Sequence, residues 1–364
     1  MDGTGANIDI AALESYLSAE LGVNAVETEV LHDGLNLSIA ISTANAENAY
    51  VLRRPNKLRH TEAFNDLTGE YGVMERLAET PVPAPAPVLV CADESVIGDP
   101  FLVMTQLEGV SIPLGSHPPD RFRNPDSRER LATRLIETLA DLHSVDVEPF
   151  TDVCDRATPR DQLARSTARL EAATTVTGCD LPGLWDVAEW LERNAPSDSE
   201  TALVHGDYRP SNVLFAGVDR PEIAGVLDWE TAFLGDPLTE LGYLLLRWRD
   251  DGDPTPPLDG LEARYSNEDA LRELREINDH GLAPFTGEPG SPSRRELVDR
   301  YEDGTGFSFE HDRFYRALAA FMLATVWADL DRHQVEAGAE ADRGPYIEYV
   351  STIARSIVDG EFEL

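Results

Sequence analysis

Three oxygen-bearing side chains stand out as candidates for chemistry. The stretch HGDYRPSNVLF, residues 205–215, carries Asp207 and Asn212, and GVLDWE, residues 225–230, carries Asp228. Val204 reads as the end of one short β-run and Val213 as the start of the next, so Asp207 and Asn212 fall on the tight loop between them. Asp228 closes a third apolar run, which leaves its carboxylate at the mouth of the same site. Two carboxylates and an amide make an all-oxygen set. Such a set suits Mg2+, a hard cation that keeps its waters and shares oxygen ligands with phosphates. The eight histidines do not cluster, which argues against zinc.

The elements that must position these groups change character along the chain. Short, β-branched, alternating stretches occupy residues 25–31, 37–42, 49–53, 87–91 and 101–104, with turn signals between them. One helix interrupts them, predicted over 61–79, where Ala63, Phe64, Leu67, Met74, Leu77 and Ala78 follow the 3.6 period. The segment 81–87, PVPAPAP, is extended by its prolines. After about Gln106 helical periodicity takes over, at 127–143, 184–194, 238–247 and 312–330. Three short β-runs, 202–204, 212–215 and 223–227, lie between the second and third of these helices. Residues 250–257 and the region near 284–292 are loops rich in Pro, Gly and acid. The expected picture is a small sheet-rich lobe followed by a larger helical lobe that holds a short β-hairpin. Asp236 and Pro237 read as a cap and first position of a helix.

The spacing H-x-D-x-x-x-x-N is the catalytic-loop pattern of protein kinases. The variant HGDYRPSN, followed by LDWE and by GDPLTEL at 235–241, resembles the aminoglycoside phosphotransferase family. More narrowly it is similar to the branch related to the kinase-like domain fused to some acyl-CoA dehydrogenases. The resemblance runs from the Gly34 region to about Trp327. It implies an α+β, protein-kinase-like two-lobe fold, with a small antiparallel-sheet N-lobe and a larger, mostly helical C-lobe. Residues 1–106 would form the nucleotide-binding lobe and 107–364 the helical lobe with the catalytic loop and substrate site. Asp207 would be the catalytic base, with Asn212 and Asp228 holding Mg2+. Arg209 stands where many serine/threonine kinases carry a phosphate-contacting lysine; an ion pair holding the loop is the other reading. His205 would buttress the loop. Glu230 would assist the metal or simply pack, and Glu240 would tie its helix to the loop.

On the nucleotide side, the resemblance asks for a cation on the third strand, AYVLRRP, residues 49–55. Alternation puts Val51 and Arg53 on one face and Leu52 and Arg54 on the other. Arg53 is assigned the role, with Arg54 as competitor, and Val51 would face the adenine. The proposed partner is Glu70, which falls in the stripe of Ala63, Leu67, Met74 and Leu77. A carboxylate there is either paired or held with its head in water. Residues 31–41, LHDGLNLSIAI, would be the phosphate-covering turn, with Gly34 and then the donors Asn36 and Ser38. Residues 101–107, with Met104, would be the hinge that reads adenine, and Gly109 would begin the second lobe. Arg53, Arg54, Lys57, Arg59 and His60 make a basic island, either an anion-binding edge or an exposed loop. His143 reads as a satisfied core histidine. The activity implied is an ATP- and Mg2+-dependent phosphotransferase acting on a small-molecule hydroxyl, aminoglycoside-like or hydroxyacyl-CoA-like. A catalytically idle, nucleotide-binding pseudokinase module is the alternative. A phosphoesterase built on His205, Asp207 and Asp228 fits the scarcity of histidine poorly.

Composition narrows the partners. The 364 residues carry 67 acidic and 30 basic side chains, a formal net charge of −37, with a single lysine, Lys57. That balance excludes a generic nucleic-acid binder, which needs a basic footprint, and disfavours anionic membranes. A carboxylate-rich, lysine-poor surface is expected of a protein working in concentrated salt, where self-repulsion is screened. Cys91, Cys154 and Cys179 form no C-x-x-C pair and suit a reducing compartment. The acidic N-terminus shows no signal-peptide pattern. The longest apolar run, 317–328, is too short to span a bilayer, so a cytoplasmic location is expected.

Overall fold

The structure, a computed structural model, describes residues 8–23, 26–33, 36–44, 46–55 and 66–364. Helix α1 (Ile10–Leu21) is capped by Asp9, which accepts the Ala12 N–H at 3.0 Å. Strands β1 (Val26–Asp33), β2 (Asn36–Thr43), β3 (Ala46–Pro55), β4 (Pro87–Cys91) and β5 (Phe101–Thr105) form one antiparallel sheet in the order β1-β2-β3-β5-β4. Alternation gives this sheet two different faces. Ile39, Ile41, Leu52, Phe101 and Val103 point one way and bury against Leu13 and Leu17 of α1. The opposite face carries Ser38 paired with Arg53, and Val51 paired with Met104.

Helix α2 (Leu67–Leu77) starts at Asp66, whose carboxylate accepts the Gly69 N–H at 2.7 Å. The predicted residues 61–65 of this helix lie outside the described residues. Val73, Met74 and Leu77 of α2 belong to the larger hydrophobic cluster, which otherwise comes mainly from the helical part of the chain. That part contains α3 (Pro125–His143), α4 (Pro159–Thr177), α5 (Pro182–Asn194), α6 (Pro237–Leu245), α7 (Asp259–Arg264), α8 (Glu268–His280), α9 (Arg294–Thr305), α10 (Asp312–Glu336) and α11 (Gly344–Asp359). Helix α10 is its axis, with α4, α6 and α11 packed around it. Accordingly Ala317, Leu318, Ala320, Phe321 and Ala324 are all buried, an apolar stretch on every side rather than a stripe. Gly242 of α6 lies against the Tyr315 backbone of α10; a Cβ there would stand 2.8 Å from the Tyr315 carbonyl. Glycine therefore sets how closely the two helices approach.

Five short strands complete the helical part: β6 (Arg156–Ala157), β7 (Ala202–Val204), β8 (Val213–Ala216), β9 (Glu222–Val226) and β10 (Phe233–Gly235). Strands β8 and β9 form a hairpin, while β7 pairs with β10 and β10 with β6. The loop carrying Asp207 and Asn212 is thus not a hairpin turn, as its tightness suggested, but a bridge between two separate sheets. Pro210 opens a single 3-10 turn, Pro210–Asn212, that carries the chain away from β7 before β8 begins. Among the described residues no helix is long and apolar enough to cross a membrane.

Candidate active site

The loop after β7 is wrapped around one buried carboxylate. Glu240, on the first turn of α6, accepts the backbone N–H groups of His205 at 2.9 Å, Gly206 at 2.7 Å and Tyr208 at 3.3 Å. Its Oε2 also accepts from His143 Nε2 at 3.2 Å, and His143 Nδ1 takes the Tyr301 hydroxyl at 2.6 Å. Burial alone would push the Glu240 carboxyl up. The hydrogen bonds from the His143 ring and the His205 backbone N–H outweigh it and hold the group below its ordinary value. Gly206 makes the turn possible: it sits at φ 84°, and a Cβ there would run into Thr231.

His205 sews this loop to the strand that precedes Asp228. Its Nδ1 accepts the Asp207 N–H at 3.1 Å, so Nε2 carries the proton and donates to the Leu227 carbonyl at 2.7 Å. The Leu227 N–H in turn donates to the Asn212 carbonyl at 2.8 Å. Asp228, the next residue, is one of two non-glycine residues with positive φ among those described, at 65°. That left-handed backbone turns its side chain out of the strand line, where it is 44% exposed.

Asp207 is held by side chains from three directions. Arg209 Nε stands 2.9 Å from both carboxylate oxygens. Asn212 Nδ2 donates to Oδ2 at 2.8 Å and to the Asp207 carbonyl at 3.0 Å. The Tyr243 hydroxyl, one turn beyond Glu240 on α6, donates to Oδ1 at 2.6 Å. Burial acts to raise the Asp207 carboxyl, but Arg209, the Tyr243 hydrogen bond and the charge of Arg247 together lower it. Burial pushes the Tyr243 phenol up to about 12, so it stays a donor.

Across from this loop, Arg53 of β3 reaches out of the sheet lobe. It ion-pairs with Glu70 of α2 and with Glu230, and its Nη1 lies 3.3 Å from Asp228 Oδ1. Arg53 and Glu70 are 2% and 1% exposed, so the stripe position of Glu70 is a paired one. Burial raises the Glu70 carboxyl, with Arg53 pulling it back only in part. Arg54 turns to the other face of β3, where Nη1 donates to the Ile97 carbonyl at 2.8 Å.

The predicted residues therefore gather in two groups. Asp207, Arg209 and Asn212 form one; Arg53, Glu70 and Asp228 form the other, with Ser38 cross-strand from Arg53 and Val51 cross-strand from Met104. Asn36 pairs with Pro55 at the end of β2. Gly34 lies outside the described residues, as do Lys57, Arg59 and His60. The two arginines of the basic island are buried and point to opposite faces, so they are not an exposed edge. Sequence reasoning missed Tyr243 and Arg247. The three-residue step from Glu240 to Tyr243 was the available signal, since it puts both on one face of α6.

Asn212 and Asp228 fit a hard cation by donor chemistry. Asn212 commits its amide nitrogen to Asp207, which leaves its side-chain oxygen as the free acceptor, and Asp228 keeps a half-exposed carboxylate. Among the described residues no cluster of three or more His, Cys, Asp or Glu competes as a metal site.

An antiparallel sheet lobe, a helical lobe and this loop between them define a protein-kinase-like fold. A model of the phosphotransferase enzyme family (APH) matches residues 27–277, and the chain belongs to that family. Acyl-CoA dehydrogenase family member 11 of Pongo abelii is 29% identical over 346 residues, 87% of this chain and 38% of that protein. The chain thus spans less than two fifths of that relative's length. A Ralstonia eutropha protein described as a candidate aminoglycoside phosphotransferase shares the fold with a TM-score of 0.72 at 24% identity, over 97% of this chain and 99% of that one. The GDP and kanamycin complex of APH(2″)-IIIa shares it with a TM-score of 0.58 at 15% identity, over 96% and 98%.

Proposed function

We propose that the chain is an ATP- and Mg2+-dependent phosphotransferase that moves the γ-phosphate to a hydroxyl of a small molecule. The observation that carries this reading is the Asp207 carboxylate, held low by Arg209 and fixed beside Asn212, on a loop that His205 ties to Leu227, next to the Asp228 that meets Arg53, a buried cation held by a helix carboxylate. The acceptor hydroxyl donates its proton to Asp207 as its oxygen bonds to the γ-phosphorus. The bond from that phosphorus to the bridging oxygen breaks, and ADP leaves. Arg209 neutralises charge on the transferred group. Arg53, held by Glu70, takes the nucleotide phosphates, and Asn36 and Ser38 offer donors from the start of β2, beside the expected phosphate-covering turn. Val51 and Met104 form the adenine wall. Asn212 and Asp228 would hold Mg2+, which supplies charge neutralisation on the phosphates. In this reading the nucleotide belongs to residues 1–106 and the acceptor to 107–364.

Membership of the phosphotransferase family supports the reaction class, and the GDP and kanamycin bound by one fold neighbour support a nucleotide beside a small molecule. The acceptor is aminoglycoside-like or a hydroxyacyl-CoA-like metabolite. Saturation of Arg53 by three carboxylates favours a second reading, an idle nucleotide-binding module. ATP turnover against a panel of hydroxylated metabolites in molar salt separates the two. Asp207→Ala abolishes turnover on the leading reading; turnover surviving that change intact refutes it. Nucleotide binding with no turnover on any acceptor is the result the second reading requires.

A further inference from the structure

The Asp207 carboxylate has about four lone-pair sites, and three donors cover them, the single Arg209 Nε–H by bridging both oxygens. Arg209 Nε is shared by both oxygens at 2.9 Å, Asn212 takes Oδ2 at 2.8 Å and Tyr243 takes Oδ1 at 2.6 Å. An acceptor hydroxyl therefore has to replace one of these donors. The three differ in how they are held. Arg209 is a long side chain, 32% exposed, on the loop itself. Asn212 is 4% exposed and bonded to the Asp207 backbone as well. Tyr243 stands on α6, a helix fixed by Glu240 below the loop and by the close Gly242 contact to α10.

Arg247 restrains Tyr243 further. Its guanidinium lies 3.9 Å above the centre of the Tyr243 ring, and its Nη1 donates to the Tyr243 carbonyl at 2.6 Å. Arg247 is 4% exposed and makes no ion pair within 4 Å among the described residues, although the chain has more than two acids for each base. Its charge lies close enough to act on Asp207. A buried guanidinium without a counter-ion is costly, and stacking on the ring beside Asp207 accounts for keeping it.

We propose that Tyr243, braced by Arg247, is a positioning residue for phosphoryl transfer: with Asn212 it holds the Asp207 carboxylate by its two flanks, while Arg209 is the exchangeable donor whose place the acceptor hydroxyl takes. This rests on the reading of Asp207 as the base. Arg209 swings to the transferred phosphate, and the carboxylate face it leaves is then already aimed.

The probe is ATP turnover with water as acceptor, followed for wild type, Asp207→Asn, Tyr243→Phe, Arg247→Met, Arg247→Lys and the Tyr243→Phe/Arg247→Met pair. Misaim of a base lowers the chemical step without touching nucleotide binding. Tyr243→Phe and Arg247→Met are therefore expected to lower kcat on the order of tenfold with the KM for ATP within about twofold. The pair is expected to be no worse than either single change, and Arg247→Lys to recover part of the loss. Unchanged kcat in Tyr243→Phe, a rise in KM matching the fall in kcat, or additive losses in the pair would overturn the proposal. Turnover retained by Asp207→Asn would instead sink the base itself. A crystal structure of Tyr243→Phe decides independently of activity. A rotated Asp207 carboxylate that has lost Asn212 supports the proposal, and an unmoved one contradicts it.

Discussion

Arg53 and Arg54 are chain neighbours with opposite destinations, because successive side chains on a strand leave by opposite faces. Arg53 goes to Glu70, Asp228 and Glu230, and Arg54 goes to the Ile97 carbonyl with Asp99 3.9 Å away. In the proposed function only the first is on the face of β3 that meets Asp228, where the nucleotide phosphates would lie. Arg53→Ala is expected to weaken binding of a fluorescent ATP analogue by about tenfold or more, since charge-assisted bonds to phosphate are lost. The same change strands Glu70, so a stability loss of about 3–5 kcal/mol should accompany it. Arg54→Ala should cost stability and leave nucleotide affinity nearly intact. The reverse ranking in the titration moves the assignment to Arg54.

At the scale of elements, α6 does most to define the site. Asp236 caps it, accepting the Leu238 N–H at 2.9 Å and the Tyr315 hydroxyl at 2.7 Å. Its next turns present Glu240 to the loop backbone and Tyr243 to the Asp207 side chain. Glu240→Gln exchanges a carboxylate that serves three backbone donors for an amide with one acceptor oxygen, at an expected cost of about 3 kcal/mol. The pH dependence has a definite sign. Glu240 is held below its ordinary value near 4.5 in the folded chain, so the unfolded chain binds the proton first as pH falls. The stabilisation is complete above that value and drains away as pH drops through the folded one. Urea midpoints measured from about pH 6 down to about pH 2.5 should draw together for wild type and Glu240→Gln, the gap starting to narrow only below the ordinary value and closing as pH passes below the folded one. A gap that stays constant over that range rules the linkage out. The tie between Glu240 and residues 205–208 was expected from the family resemblance, while the cap and proline fixed only where α6 begins. For Tyr243 the helical step from Glu240 gave only the shared face, and the residue 36 positions earlier that its hydroxyl meets depended on tertiary packing.

For the whole molecule, a net charge of −37 on 364 residues sets the solution behaviour. With 67 acidic against 30 basic residues, most of the excess carboxylates have no basic side chain to pair with. Screening is the remaining remedy: the Debye length shrinks from roughly 10 Å at 0.1 M salt to roughly 3 Å at 1 M. The melting temperature should therefore rise steeply between low salt and about 2 M KCl, more than in a family member of balanced charge. A melting temperature indifferent to salt over that interval would remove the adaptation argument and leave the acidity unexplained.

Periodicity and turn chemistry were enough to place the strands of the first hundred residues, the four helices α3, α5, α6 and α10, and the HGD-x-x-x-x-N loop. These are local properties, written in side chains that must alternate or recur if a segment is to bury one face. Helices α1, α4, α7, α8, α9 and α11 were not anticipated; in α1 the buried positions are only two. The choice between Arg53 and Arg54 followed once the strand found its neighbours. The partners of β7, the reach of Glu230 to Arg53 and the stacking of Arg247 on Tyr243 depended on which surfaces meet. Such pairings are decided by long-range packing among elements far apart in the chain, where no short window of residues records which of several carboxylates a buried cation will find.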